Sequence, residues 1–594
     1  MSHRTTLILT LAAAAAFCAP WRTANAQRLS PGPQVLTIFS DVDDSEQPYG
    51  LYLPKNHDEK KKYPLVIMLH GAQSNHRLSL KRVFGFSNQE GENDLEATRY
   101  FQQWADVDYI VASPLARGTM GYKGIPEKDV WDVVADVKRR FHIDEERTYL
   151  TGLSMGGGGT LWIGLTRPDV WAAIAPVCPA PPFGTVERAP NALNFPVHFF
   201  QGGADPVVNP EGTRQWRKRL EDLGTKVEYV EYPGVQHNSW EKAYADEAIF
   251  KWFGQFKRNK FPDRVRFVTD AYQYGGAYWI QFDKLMPGTF ARIDAQFKAP
   301  NRIEIATSDL DAFTVNLAGH PKYARGRQVE ITIDGASLKA TGDSIVLVKE
   351  NGAWKIGKYA PQPGAKRAGL EGPMGSAIDR RHVYVYGTAG SPAREEALAR
   401  REMANRAAAW GNTSAGSGRL LLGMRAVPDT QVRPSDLQTS DLFLFGTKET
   451  NTVIAKFAGL LPLHLDPKAE GYGLVYVYPV NGHYFLVGSG TPWFPLADPA
   501  PRIPGGRGAA PAGAGRGGGA PGAAGFARQD ISLGIDFFAP AQRSLTKWGD
   551  FILYKDTPTN ILVQGRFDGN WKLTAADAEK LAATGVVTVS PVAR

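Results

Sequence analysis

Cysteine is almost absent from this chain. Its 594 residues include two, Cys18 and Cys178, and the first lies in a segment that we expect to be removed. One remaining thiol cannot form an internal disulfide, so a disulfide-stabilised scaffold is excluded and stability must come from packing.

Long apolar runs are also lacking. The run from Leu7 to Ala16 has about half of the roughly 20 residues that a membrane-spanning helix needs, so no integral membrane span is predicted. The first 26 residues do combine a basic start, this run and a small-residue ending at Ala24-Asn25-Ala26. That pattern predicts a signal peptide over 1–26, cleaved before Gln27, and export to a periplasm or out of the cell.

Charge of one sign is not in large excess. The formal net charge of +8 is small for 594 residues, and the Lys and Arg residues are scattered. We therefore expect no nucleic-acid partner. The loops around the motifs described below have no His, Asp and Cys at metal-ligand spacing, so no metal is expected and no cofactor is needed.

The length and pattern of the chain predict several domains. A single core stops growing near about 250–300 residues, so 594 residues are expected to divide. Residues 27–261 alternate strand and helix patterns, which predicts an α/β domain with a mainly parallel sheet covered by helices on both faces. Residues 262–365 alternate apolar and polar positions and predict a β-rich, sandwich-like domain. Residues 366–594 predict a C-terminal α/β accessory domain, whose Gly/Ala/Pro-rich stretch 505–525 predicts a disordered loop.

Five strands and one helix are predicted most clearly in 27–261. The helix covers 128–141, where Val130, Val133 and Val137 share one face. The strands cover 63–71, 108–114, 147–154, 194–202 and 226–234.

The third of these strands runs into the motif Gly152-Leu153-Ser154-Met155-Gly156. It fits Gly-x-Ser-x-Gly, in which a strand turns sharply into a helix and presents a serine hydroxyl above the edge of the sheet. The alternative is an ordinary serine in a flexible turn. The preceding strand and the helical pattern that follows favour a nucleophile.

A serine nucleophile needs a base, and the base needs an acid to orient it. Asp205 and His237 each follow a predicted strand, in the order serine, acid, histidine. Each has a simpler explanation, since Asp205 could start the turn at Pro206 and His237 could cap a loop. The oxyanion donors are predicted to be the backbone N–H groups of Met155 and Ala72.

These stretches resemble the α/β-hydrolase superfamily. Within it they are similar to bacterial exported esterases and peptidases of the prolyl oligopeptidase (S9)-like, dienelactone hydrolase and polyhydroxybutyrate depolymerase group. The resemblance covers about residues 46–258 and rests on the motifs YPLVIMLHGAQSN, TYLTGLSMGGGGT, FQGGADPVV and YPGVQHNSW. It implies an α/β-hydrolase fold and acyl transfer through Ser154, Asp205 and His237.

The resemblance leaves ester and peptide bonds open as substrates. We favour an ester, because only about 20 residues precede the hydrolase stretches in the mature chain, too few for the β-propeller that restricts access in prolyl oligopeptidases. The resemblance implies a small or polymeric ester, such as a plant cell-wall or polyester bond. Tyr122 and Trp240 are candidates for stacking on such a substrate, although core packing would explain either.

Two alternatives remain. One is an S9-like serine peptidase. The other is a non-catalytic carbohydrate- or partner-binding protein on a hydrolase scaffold, for which the aromatic stretch 271–282 would supply the surface. The sequence does not indicate the oligomeric state.

Overall fold

The computed structural model of the protein describes residues 29–102, 104–390, 394–409, 422–494 and 540–591. The predicted signal peptide and the predicted disordered loop 505–525 lie outside these residues. None of the described helices is both long enough and apolar enough to cross a membrane.

The N-terminal part is built on an eight-stranded sheet in the order β1-β2-β4-β3-β5-β6-β7-β8. Strand β2 is antiparallel to both of its neighbours, and the strands from β4 to β8 are parallel. This is the α/β-hydrolase fold, as predicted. The strands are β1 Gly32–Ser40, β2 Ser45–Leu53, β3 Tyr63–Leu69, β4 Ile110–Pro114, β5 Ile143–Leu153, β6 Ala173–Val177, β7 Val197–Gly202 and β8 Val227–Tyr232.

Helices lie between the parallel strands, and two more follow the last strand of the sheet. They are α1 His76–Val83, α2 Asp94–Ala97, α3 Ile125–Arg140, α4 Met155–Thr166, α5 Pro210–Asp222, α6 Trp240–Ala243 and α7 Ala248–Phe253. Helix α3 buries Val130, Val133 and Val137, the face predicted from their spacing. All seven residues of β3 are buried, as expected for a parallel strand that is covered on both faces.

The sequence prediction missed three strands of this sheet. Strand β6 is only five residues long, and it includes two alanines and a proline, which are depleted in strands, beside its Ile and Val. Strands β1 and β2 pair only with each other and with β4 at one edge of the sheet, where polar residues interrupt the apolar pattern.

Two five-stranded sheets follow, with the orders β10-β11-β14-β17-β18 and β16-β15-β13-β12-β9. Their pairings are antiparallel except for β13 with β15, and side chains from both sheets are buried in one apolar cluster. The strands are β9 Arg264–Thr269, β10 Gly276–Ala277, β11 Ile280–Leu285, β12 Ala291–Ala299, β13 Arg302–Ser308, β14 Leu310–Asn316, β15 Val329–Ile333, β16 Ala336–Ala340, β17 Ser344–Glu350 and β18 Ala353–Ile356.

The C-terminal part has a seven-stranded mixed sheet, β20-β19-β21-β24-β23-β25-β26, and the pair β22-β27. Its strands are β19 His382–Tyr386, β20 Arg425–Pro428, β21 Asp441–Phe445, β22 Leu463–Leu465, β23 Tyr472–Val480, β24 His483–Gly490, β25 Phe551–Lys555, β26 Ile561–Gly565 and β27 Val587–Val589. Its helices are α8 Met374–Ala377, α9 Arg394–Ala408, α10 Pro434–Thr439, α11 Thr452–Phe457, α12 Pro540–Leu545 and α13 Ala575–Ala583.

The apolar cores cross the predicted domain boundaries. The core of the hydrolase sheet is continuous with that of the two five-stranded sheets. Val42, Met120 and Ile125 of the N-terminal part are buried in the core of the C-terminal sheet. The predicted domain boundaries at 261/262 and 365/366 therefore stay predictions, because the buried cores do not separate there.

Candidate active site

Ser154 lies between β5 and α4, in a backbone conformation that a serine rarely adopts. Its φ of 56° and ψ of −117° are outside the helical and strand regions. Such strain costs of order 1–3 kcal/mol and persists where surrounding structure over-determines it, often at functional sites. Here Ser154 N–H donates to the Val177 carbonyl at 2.9 Å, and Ala180 N–H donates to the Ser154 carbonyl at 3.1 Å. The end of β6 and the residues that follow it thus fix the turn at Ser154.

The four glycines after Met155 form the start of a buried helix. All twelve residues of α4 are buried. A Cβ at any of the four would lie less than 3.0 Å from a neighbouring atom, so each glycine permits a close approach. The neighbours are the carbonyls of Leu69, Val177 and Ala180 for Gly156, Gly157 and Gly158, and the ring of Tyr122 for Gly159.

The structure brings Ser154, His237 and Asp205 together. The Ser154 Oγ lies 2.9 Å from His237 Nε2, and His237 Nδ1 lies 2.8 Å from Asp205 Oδ2. The Asp205 side chain is fully buried, whereas 21% of the His237 side chain is exposed. The three side chains follow β5, β7 and β8, at the carboxyl edge of the sheet.

Several donors hold the Asp205 carboxylate. The backbone N–H groups of Val207 and Val208 donate to Oδ1 at 2.8 and 2.9 Å. Gln201 Nε2 donates to Oδ2 at 3.1 Å, and the Thr213 hydroxyl donates to the Gln201 amide oxygen at 2.8 Å. The carboxylate therefore has one oxygen turned to its own loop and the other turned to His237.

Cys178 is a further neighbour of His237 that the sequence did not indicate. It is buried, and its thiol donates to the His237 carbonyl at 3.6 Å. Burial is the largest influence on the pKa of His237 and lowers it, but the Cys178 sulfur and the Asp205 carboxylate raise it, and the net shift is upward. Among the described residues, potential metal-ligand atoms of Cys178, Asp205 and His237 lie within 4.8 Å of one another, a spacing that could hold a metal ion.

The two predicted oxyanion donors lie in loops beside Ser154. Met155 is the first residue of α4, and Ala72 is in the loop after β3. Across the described part of the chain, the N–H groups of Met155 and Ala72 have no hydrogen-bond acceptor. Gly71 is close to the nucleophile, since a Cβ there would lie 3.6 Å from Ser154 Cβ.

The structure places the two predicted stacking residues differently. Tyr122 is 1% exposed, and its hydroxyl donates to the His70 carbonyl at 3.1 Å. It therefore packs in the core and offers no open ring face for stacking, which corrects the expectation for this residue. Trp240 is partly buried and meets the His237 ring edge-on, with ring centroids 5.4 Å apart. It remains a candidate wall of the site.

Sequence reasoning missed Gln201 and Cys178. Gln201 is a polar residue at the end of an otherwise apolar strand, VHFFQG, and such a residue in a buried strand needs a partner. This was an available signal. Cys178 gave none, because it approaches His237 only through the folding of residues 59 positions apart.

Residues 129–250, about a fifth of the chain, match a family described as phospholipase/carboxylesterase. Among solved structures, a thermostable esterase is 26% identical over 38% of this chain and 63% of its own, with a TM-score of 0.31. A ferulic acid esterase from Anaeromyces mucronatus is 22% identical over 39% of this chain and 95% of its own, with a TM-score of 0.29. Dipeptidyl peptidase 4 from Porphyromonas gingivalis is 17% identical over 38% and 36%, with a TM-score of 0.30.

Proposed function

We propose that this protein is an exported serine hydrolase that cleaves carboxylic esters. The observation that carries the proposal is the continuous hydrogen-bonded chain from Ser154 through His237 to Asp205, with atoms 2.9 and 2.8 Å apart. A serine hydroxyl needs a base to take its proton, and this arrangement supplies that base together with an acid that orients it.

Each residue has a role in the proposed reaction. Ser154 Oγ attacks the carbonyl carbon of the ester while its proton passes to His237 Nε2. The imidazolium keeps its Nδ1–H on the Asp205 carboxylate, which stabilises the positive charge. His237 then gives the proton to the departing alcohol, and an acyl group remains on Ser154. Water, deprotonated by His237, releases the carboxylic acid and restores the serine.

The negative oxygen of the tetrahedral intermediate needs donors. We assign this role to the N–H groups of Met155 and Ala72, which have no other acceptor among the described residues. Removal of one such donor typically costs about 2.7–4 kcal/mol of transition-state stabilisation. The Met155 N–H also belongs to the first turn of α4, where the helix dipole favours negative charge.

An ester is favoured over a peptide because the family matched by residues 129–250 is described as phospholipase/carboxylesterase. Both bonds can be cleaved by the same triad, so the substrate is tested directly. The test is turnover of short p-nitrophenyl esters, methyl ferulate and a Gly-Pro anilide by the mature protein. Ester turnover without anilide cleavage supports the proposal, anilide cleavage replaces it with a peptidase, and an inactive wild type favours a binding protein.

The same panel tests the residues. Ser154→Ala and His237→Ala are expected to lower turnover by on the order of 10⁴-fold with an unchanged fold, and Asp205→Asn by less. A Ser154→Ala or His237→Ala protein with a tenth of the wild-type activity would contradict the assignment.

A further inference from the structure

We propose that the C-terminal part of the chain helps to fix the geometry of the active site. The C-terminal part contacts residues 115–124, here called the support segment. Through Thr119, the support segment positions residues 70–75, here called the oxyanion loop. The inference rests on the proposed function, because it requires the Ala72 N–H to donate to the oxyanion.

Among the described residues, three hydrogen bonds join the support segment to the oxyanion loop. Gln73 N–H, one residue after Ala72, donates to Thr119 Oγ1 at 2.8 Å. The Tyr122 hydroxyl donates to the His70 carbonyl at 3.1 Å, and His70 Nε2 lies 2.7 Å from the Leu115 carbonyl. The contacts to Tyr122 and Leu115 hold the start of the loop at His70. The contact to Thr119 holds the loop directly after Ala72, and the far end of the loop is held by Asn75, whose side chain caps α1.

The support segment is itself rigidly held. Arg117 is fully buried and bonds to Asp43 at 2.6 Å, to Asp129 at 2.7 Å and to the Ser40 hydroxyl at 2.6 Å. Ala116 and Arg117 have positive φ values of 44° and 61°, which side chains seldom adopt. Such backbone persists only where several contacts over-determine it.

The C-terminal part supplies further contacts to the support segment. Met120 of the support segment is 4% exposed and is buried in the apolar core of the C-terminal sheet, together with Leu370 and Met374. Gly124, at the end of the segment, lies so close to the Asp379 carboxylate that a Cβ would come within 3.0 Å of it.

The turn that holds Arg117 is bound to the C-terminal part as well. Asp43, the partner of Arg117, also accepts a hydrogen bond from Gly423 N–H at 3.1 Å. The next residue, Asp44, pairs with Arg381 through two bonds of 2.6 and 2.7 Å. The support segment is thus held by the N-terminal part through Arg117 and by the C-terminal part through Met120 and Gly124.

This arrangement makes Thr119 a positioning residue. It does not touch the reacting atoms, and its hydroxyl oxygen fixes the peptide that follows Ala72. Loss of the acceptor removes the hydrogen bond directly after Ala72, so the Ala72 N–H can shift away from the oxyanion although both ends of the loop stay held. A misplacement of about 1 Å can cost up to about 10²-fold in rate, so we expect a loss of about tenfold in kcat from this change.

The test compares Thr119→Val with Thr119→Ser in the full-length mature protein. Valine has the shape of threonine without the acceptor, whereas serine keeps the acceptor. We expect Thr119→Val to lower kcat about tenfold with KM within about twofold and an unchanged Tm, and Thr119→Ser to recover most of the rate.

A second pair of variants tests the contribution of the C-terminal core. Met120→Ala removes a side chain that joins the support segment to that core, and Val477→Ala removes one buried in the same core on β23. Both should lower Tm, but only Met120→Ala should lower kcat. Combined with Thr119→Val, Met120→Ala should cause little further loss of kcat, because both act on the same loop.

The outcomes separate this inference from the proposed function. Wild-type kcat in Thr119→Val, or equal kcat losses in Met120→Ala and Val477→Ala, would overturn the positioning role while Ser154→Ala stays inactive. Activity in Ser154→Ala would instead overturn the proposed function. A loss of rate in Thr119→Ser equal to that in Thr119→Val would also overturn the role of the acceptor.

Discussion

Replacement of Gly158 by alanine is expected to destabilise the protein, although alanine is the better helix former. Glycine inside a helix costs about 1 kcal/mol relative to alanine, so helix propensity alone predicts a more stable variant. The structure predicts the opposite. A Cβ at residue 158 would lie less than 3.0 Å from the main-chain carbonyl of Ala180, which cannot rotate away as a side chain can.

The size of the effect follows from these two terms. Overpacking typically costs about 1–3 kcal/mol, and an immobile backbone obstacle places this substitution near the upper end. After the gain of about 1 kcal/mol in helix propensity, a net loss of about 2 kcal/mol remains. For the predicted domain 27–261, a loss of about 2 kcal/mol corresponds to a fall in Tm of roughly 4–8 °C. Ester turnover should also fall, because Ala180 N–H donates to the Ser154 carbonyl at 3.1 Å.

Gly164→Ala is the matched control in the same helix. Its Cβ would meet Ile174 Cδ1 at 2.9 Å, the far end of a side chain that can turn aside. We expect its Tm to be unchanged or slightly raised. The measurement is calorimetric unfolding of both variants, together with ester turnover. A Gly158→Ala protein as stable and active as the wild type would refute the reasoning.

Two further predictions concern pH. Because the Asp205 carboxylate raises the pKa of His237 against the lowering effect of burial, Asp205→Asn should shift the acid limb of the kcat/KM profile to lower pH, and an unmoved limb would count against this contact. Burial raises the pKa of Glu371 to about 8, above its usual value of 4.5. Its stabilising contribution is therefore complete below about pH 4.5 and is lost as the pH rises through 8, so Glu371→Gln should flatten the fall of Tm between pH 5 and pH 9; an equal fall in both proteins would contradict this.

The fold class and the members of the candidate site were predictable because their signals are local. The turn at Ser154 follows from two flanking glycines, and Asp205 and His237 each follow a strand in the expected order. Their approach in space then follows from the topology, because parallel strands present their carboxyl ends at one edge of the sheet.

The remaining features depend on contacts between distant residues. The helix after Ser154 was predicted, but its pattern did not explain four glycines in a row; the neighbouring carbonyls and the Tyr122 ring show why no side chain fits there. The sequence around Tyr122 does not show whether its ring is buried or exposed. Likewise, the contact of Thr119 with Gln73 joins two loops that are 46 residues apart.

The most direct test of the central claim is to identify the residue that a fluorophosphonate probe labels. The mature protein is treated with the probe, its intact mass is measured, and the labelled peptide is sequenced, with Ser154→Ala as the control. The proposed mechanism predicts one adduct on Ser154, loss of ester turnover in proportion to labelling, and no adduct in Ser154→Ala. An adduct on another serine, or full labelling with undiminished turnover, would contradict it.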